Sequence, residues 1–180
     1  MTQPAASLPP RSADPQAIVL MGVAGSGKTT VGRLLANQLG WEFRDADDFH
    51  PAANIAKMSA GVPLTDDDRA PWLAAIRRHL EACLAAGRST VVTCSALRQR
   101  YRDALRADPQ RVHLVHLTGS FDLILGRMER RTDHFMKPGM LRSQFEVLEP
   151  PADAITVDIA HTPEDIVAEI RHRLKLGPNR

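Results

Sequence analysis

Gly22, Val23, Ala24, Gly25, Ser26, Gly27, Lys28 and Thr29 stand in the order G-x-x-x-x-G-K-[ST], a spacing that lets a chain wrap a phosphate. Glycines allow successive N–H groups to curl inward, and the following helix N-terminus adds partial positive charge. In such a loop the Lys28 ammonium reaches the terminal phosphates and the Thr29 hydroxyl ligates Mg²⁺; Thr30 completes the nucleotide-binding set. A glycine-rich turn with an incidental lysine is the alternative. The flanks argue against it, because an apolar run, Gln16 to Met21, precedes the loop and a helical apolar stripe, Val31, Leu34, Leu35 and Leu39, follows.

Two carboxylates come next. Asp45 and Asp47 lie two apart, so in extended chain they share a face. Mg²⁺ favours carboxylate and retained water, which assigns Asp45 to the metal side through water. An acceptor hydroxyl needs a group to orient it and take its proton, which assigns Asp47 to the substrate. The strand read at Thr90 to Cys94 carries no acid, so the cation depends on Asp45 all the more. Further along, Arg127 and Arg131 are helical neighbours at i, i+4, placed to stabilise charge on a phosphoryl group in transfer. The stretch behind them, with Asp133, His134, Phe135, Pro138 and Gly139, reads as a loop able to close as a lid and exclude water. Arg69 follows three aspartates that can pair with it instead, and Arg98 and Arg102 share a helix face just after Ser95.

The elements that must position these groups alternate between strand and helix. Strands are expected at 16–21, 41–44, 90–94, 112–117 and 155–158. Helices are expected after the phosphate loop, after Pro51, after Thr65, at 97–105, after Ser120, at 140–148 and after Thr162. This order implies parallel strands joined by right-handed crossovers, with ligands beyond the strands' carboxyl ends. The phosphate loop, Asp45 and Asp47, Ser95, Gly119-Ser120 and the 159–163 loop all fall at those ends and open on one crevice. The fold class is α/β: a three-layer phosphate-loop NTPase fold, five parallel strands flanked by helices, with a mobile lid at about 127–140. Residues 1–15 read as a disordered leader and 16–180 as one domain.

At 180 residues, with 43% hydrophobic and 24% charged content, the chain suits a single domain with a full core. A net charge of +2 argues against an extended nucleic-acid surface. The two cysteines, Cys83 and Cys94, make neither a disulfide framework nor a metal-ligand spacing, and a reduced, cytoplasmic setting accounts for them. No apolar run approaches membrane-spanning length. His113 and His116, three apart on a strand, face opposite ways and cannot act as a ligand pair.

With these residues in place the chain closely resembles the gluconate kinase family, a branch of the phosphate-loop kinases near shikimate kinase. The matching segments are Met21 to Lys28, Asp45-Ala46-Asp47 with His50-Pro51, Pro63 to Arg69 with Pro71-Trp72-Leu73, and Cys94-Ser95-Ala96-Leu97-Arg98 with Tyr101-Arg102. His134-Phe135, Gln144-Phe145-Glu146 and Val157-Asp158 follow in family order. The resemblance implies ATP-dependent phosphorylation of D-gluconate at its terminal hydroxyl, with Mg²⁺, by a homodimer. It implies that Asp47 contacts the acceptor hydroxyl, and that Arg69, Ser95, Arg98, Tyr101 and His134 hold the sugar acid. Arg127 and Arg131 become lid or phosphate arginines, and Arg127 with the Ala160–Pro163 loop, Thr162 included, flanks adenine. Arg98 departs from the pattern, since lysine is also familiar there. A shikimate kinase is disfavoured because Thr93-Cys94-Ser95-Ala96 replaces that family's glycine-rich substrate loop. A guanine-nucleotide switch is disfavoured because the chain has no Asn-Lys-x-Asp sequence.

Overall fold

Both faces of the central strand are sealed, and this governs the rest of the architecture. In the computed structural model, which describes residues 14–106, 108–130 and 138–177, strand β1 (Ala17–Met21) is completely buried. Its alternate side chains serve two cores. Ile18 and Leu20 join one cluster with Val31, Leu35, Ile124, Val157 and Ile166. Ala17, Val19 and Met21 join the other with Trp72, Leu73, Ile76, Leu80 and Leu105. Each Val, Leu, Ile or Met buried this way contributes about 1.5–3 kcal/mol relative to exposure. A continuous apolar strand between two helical layers is the pattern of a buried parallel sheet.

The remaining strands are β2 (Glu42–Asp45), β3 (Thr90–Thr93), β4 (Val112–Thr118) and β5 (Ile155–Asp158). They lie in the order β2-β3-β1-β4-β5, and every pairing is parallel. The helices are α1 (Lys28–Leu39), α2 (Ala52–Ser59), α3 (Asp66–Ala85), α4 (Gln99–Leu105), α5 (Phe121–Glu129), α6 (Pro138–Val147) and α7 (Pro163–Arg173). Helices α1, α5 and α7 cover one face of the sheet, and α3 with α4 covers the other.

Local chemistry sets the helix starts. Ser120 and Thr162 accept from the backbone N–H three residues on, and Pro163 opens α7. Thr65 forms a full capping box: its hydroxyl accepts from the Asp68 N–H at 3.2 Å, and Asp68 accepts from the Thr65 N–H at 2.9 Å. Lys57, 2.6 Å away, and these Thr65 donors hold the Asp68 carboxyl down at about 2. Thr65→Ala is expected to cost about 1 kcal/mol. Thermal unfolding should register this as a fall in Tm of roughly 2–4 °C.

Several boundaries differ from the sequence expectation. The second strand runs one residue later than 41–44, because Trp41 still donates its N–H to the Ala36 carbonyl beyond the end of α1. Helix α4 begins at Gln99, with Arg98 as its flanking residue, so Leu97 is buried in the preceding loop instead of in the helix. Residues 1–13 of the expected leader lie outside the described residues. So do 131–137 of the expected lid, including Arg131 and His134.

Candidate active site

Five loops leave the carboxyl ends of the strands, and the first is shaped by its glycines. Gly22 has φ 145°, and a Cβ there would sit 2.6 Å from the Leu117 carbonyl oxygen. Gly25 has φ 77°, and a Cβ there would meet the Met128 side chain at 2.7 Å. Both φ values are ones that residues with side chains rarely adopt, and at Gly22 a Cβ would also press on the backbone of β4. The loop passes into α1 through Gly27, and no side chain caps the helix's first N–H groups. Those backbone donors, beside the exposed Thr29 and Thr30, face outward for an anion.

Lys28 is folded back over the loop. Its ammonium donates to the Gly22 carbonyl at 3.0 Å and the Val23 carbonyl at 2.9 Å. Burial lowers its pKa, opposed by Cys94, Asp45 and Asp47. A second clasp comes from α6: the Gln144 Oε1 accepts from the Ala24 N–H at 2.7 Å. Gln144 thus ties the helix beyond the lid segment to the phosphate loop. Loss of one such bond is worth about 1 kcal/mol. Gln144→Ala is therefore expected to raise the nucleotide KM roughly fivefold, with steady-state kinetics as the check.

Asp45 ends β2 and faces the start of α1. Its Oδ2 accepts from the Thr29 hydroxyl at 3.1 Å, and its Oδ1 accepts from the Asp47 N–H at 3.2 Å. The chain then turns: Ala46–Phe49 is a single 3₁₀ turn, not the extended stretch on which a shared face was expected. The two acids are neighbours all the same, through the Asx-type bond that Asp45 makes two residues on. Their proximity matters electrically. Partial desolvation, and next the Asp45 charge, raise the Asp47 pKa above its ordinary value, against His50 and Lys28, although the side chain stays exposed.

The turn is anchored from below by Trp72, whose Nε1 donates to the Ala46 carbonyl at 2.7 Å in a buried bond. His50 stacks on the Trp72 ring, with centroids 4.4 Å apart and planes 8° from parallel. Burial lowers the His50 pKa, opposed by Asp47 and assisted by Arg69, which lie on either side of it electrically. Asn54, almost fully buried, ties α2 to α3 by donating to the Asp68 carbonyl at 2.7 Å.

Arg69 does not pair with the aspartates before it. It donates to the Leu64 carbonyl at 2.5 Å and lies 5.9 Å from the centre of the Tyr101 ring. Asp66 instead receives the Tyr101 hydroxyl and Arg100, with Arg98 at 3.8 Å. Arg98 and Tyr101 are thereby gathered around the Asp66 carboxylate, with Arg69 over the Tyr101 ring. The loop carrying Ser95 is tied down on both sides. Ala96 adopts φ 43°, unusual for a residue with a side chain, and the Ser95 carbonyl accepts from the Gly22 N–H at 3.3 Å. Arg102 is not on a shared open face with Arg98. It is 1% exposed and holds this loop by donating to the Ala96 and Leu97 carbonyls at 3.1 and 3.2 Å.

On the other flank, Arg127 donates to the Ile159 carbonyl at 2.6 Å, which places its guanidinium at the loop after β5. In that loop the Thr162 hydroxyl is engaged in capping α7, with Pro163 beside it. Cys94 is sealed and its thiol pushed up to about 12 by burial, so it packs rather than reacts.

A phosphate loop joined to an acid pair, with arginines gathered opposite, is the outline of a small-molecule kinase, and known proteins share it. The family model for shikimate kinase matches residues 24–175. A probable gluconokinase of Rattus norvegicus is 44% identical, covering 89% of this chain and 98% of its own. The gluconokinase of Gluconobacter oxydans is 46% identical, covering 88% and 91% respectively. The chain belongs to the gluconokinase branch of the shikimate kinase family. The crystal structure of a gluconokinase from Sinorhizobium meliloti superposes with a TM-score of 0.77 at 42% identity, covering 91% of this chain and 98% of that one.

As a gluconokinase-family kinase with ATP as co-substrate, the protein carries two features that sequence patterning missed. Gln144 sits 120 residues from the Ala24 N–H it clasps, and its place in the quoted Gln144-Phe145-Glu146 match was the only signal. Arg102 looked like one of a pair with Arg98, and nothing local marked it for burial. Among the described residues, no helix is long and apolar enough to cross a membrane.

Proposed function

We propose that this protein phosphorylates D-gluconate on its terminal hydroxyl with ATP, giving 6-phosphogluconate. The observation that carries the reading is the bonded sequence Thr29–Asp45–Asp47 at the mouth of the phosphate loop. It supports a role for one acid beside the phosphates and for a second, exposed and less acidic one at the acceptor. Kinship with gluconokinases at 44–46% identity supports the choice of acceptor.

In this reading the loop N–H groups and Lys28 hold the β- and γ-phosphates. Asp47 orients the terminal hydroxyl and takes its proton as the oxygen bonds to the γ-phosphorus and the bridge to ADP breaks. Its raised pKa makes it a stronger acceptor for that proton. Thr29 and Asp45 offer hard oxygen donors 3.1 Å apart and fit Mg²⁺, which when bound neutralises charge on the β- and γ-oxygens. Arg69, Ser95, Arg98 and Tyr101 hold the sugar acid, joined by His134. The carboxylate already seated among Arg98, Arg100 and Tyr101, that of Asp66, supports this pocket's taste for acids. Arg127 with Thr162 and Pro163 flanks the base, and Arg131 reaches the transferring phosphate. A homodimer in a cytoplasmic setting completes the proposal.

Coupled ADP release with Mg-ATP, run against gluconate, shikimate, other sugar acids and nucleoside monophosphates, is the test. Turnover confined to gluconate is the expected result. Turnover with shikimate instead would overturn the acceptor assignment and leave the family intact.

A further inference from the structure

The edge strand β2, at the end opposite Asp45, carries a cluster that phosphoryl transfer does not use. His79 and Cys83 are i, i+4 neighbours on α3 and so share a face. Opposite them stands Glu42, the first residue of the edge strand β2. The Cys83 Sγ lies 3.6 Å from the His79 Nε2 and 3.8 Å from the Glu42 Oε2. Ligand atoms from the three residues all fall within 4.8 Å of one another. A tetrahedral Zn²⁺, with bonds of about 2.3 Å to sulfur and about 2.0–2.2 Å to nitrogen and oxygen, needs ligand atoms roughly 3.5 Å apart.

We infer that Glu42, His79 and Cys83 form a binding site for a soft divalent cation of the zinc class, distinct from the magnesium position at Thr29 and Asp45. One thiolate, one imidazole and one carboxylate are a zinc-type donor set, whereas Mg²⁺ demands oxygen. The imidazole is ready. Burial, with Arg44 and Arg88, keeps His79 neutral against Glu42, and its ring rests against Phe49 at 5.2 Å. Cys83 holds its proton, since burial and then Glu42 raise its pKa, so binding releases one proton to solvent as the Sγ takes the metal. Cys83 itself is sealed, whereas Glu42 and His79 are partly exposed, so the ion enters on their side and a water fills the fourth position.

Two cations compete. Arg44 pairs with the Glu42 Oε1 at 3.1 Å and Arg88 with its Oε2 at 2.7 Å. A carboxylate has about four lone-pair sites, so the arginines weaken the site without filling it. Occupancy clamps β2 to α3. The far end of that same short strand presents Asp45, so the metal stabilises the fold behind the catalytic acids.

Titration of the full chain with Co²⁺ tests the site. A thiolate ligand gives a near-ultraviolet charge-transfer band, which histidines elsewhere cannot produce, beside the visible bands of a tetrahedral ion. One equivalent is expected, displaced by Zn²⁺ and not by Mg²⁺. The band should disappear in Cys83→Ser, weaken at least tenfold in affinity in the partly exposed His79→Gln, and persist in Cys94→Ser. Zn²⁺ at about a hundred times its Kd should raise the wild-type Tm by roughly 5–10 °C, and the His79→Gln Tm far less. Absence of the charge-transfer band in the wild type, its loss in Cys94→Ser, or an unchanged affinity in His79→Gln overturns the assignment. Neither result bears on gluconate turnover.

Discussion

Asp47→Asn is expected to reduce kcat by roughly 10²–10⁴-fold while leaving the KM for ATP close to wild type. The amide keeps the shape and the 3₁₀ turn but can no longer take the acceptor's proton. The same change should raise Tm near neutral pH. Asp47 has its folded pKa above the unfolded one, mainly through desolvation and next through Asp45. The folded state therefore binds that proton more tightly, and ionised Asp47 costs stability at pH values above its folded pKa. The cost fades as pH falls through the folded pKa and is gone below the ordinary carboxylate value. Wild-type and Asp47→Asn melting temperatures should thus differ at neutral pH and converge in acid. The pH profile of wild-type kcat should have its acid limb above the usual carboxylate range. A mutant with normal kcat would remove Asp47 from the acceptor role, and one destabilised at neutral pH would contradict the raised pKa.

Lys28→Ala is expected to lower kcat/KM for ATP by roughly 10²–10³-fold, the usual loss when one donor to a developing anion is deleted. The lysine has a second job in the ligand-free fold, where it clasps the Gly22 and Val23 carbonyls. Those carbonyls can turn to water once the ammonium is gone, so the effect on Tm should be small beside the kinetic loss. A large fall in Tm with near-normal kcat/KM would mean that Lys28 serves the loop's shape and not the phosphates.

Which parts of this site were legible depends on how far apart the interacting residues lie along the chain. The phosphate loop and the caps at Thr65, Ser120 and Thr162 are local, so spacing alone exposed them. The apolar stripe of α3 from Trp72 to Leu84 was legible for the same reason. Strand order was not, because pairing β1 between β3 and β4 depends on packing across the whole chain. Arg102 shows the limit well. An arginine on a short helix reads as solvated, and only the Ser95–Leu97 loop, whose Ala96 and Leu97 carbonyls it binds, supplies a reason to bury it. Asp45 and Asp47 came together as expected but by another route, since a turn and not extended backbone brings them close. Gln144 joins a distant segment and no spacing announces it; His79 and Cys83 stand at i, i+4 on α3, but nothing local marks Glu42, on β2, as their third partner.

The most direct measurement is proton-coupled ³¹P NMR of the product formed from gluconate and Mg-ATP. A phosphate ester on the terminal CH₂ couples to two protons, so a phosphomonoester triplet growing with ADP is the expected spectrum. A doublet would place the phosphate on a secondary hydroxyl and contradict the orientation assigned to Asp47. Inorganic phosphate alone would mean that water, not the sugar acid, receives the phosphoryl group.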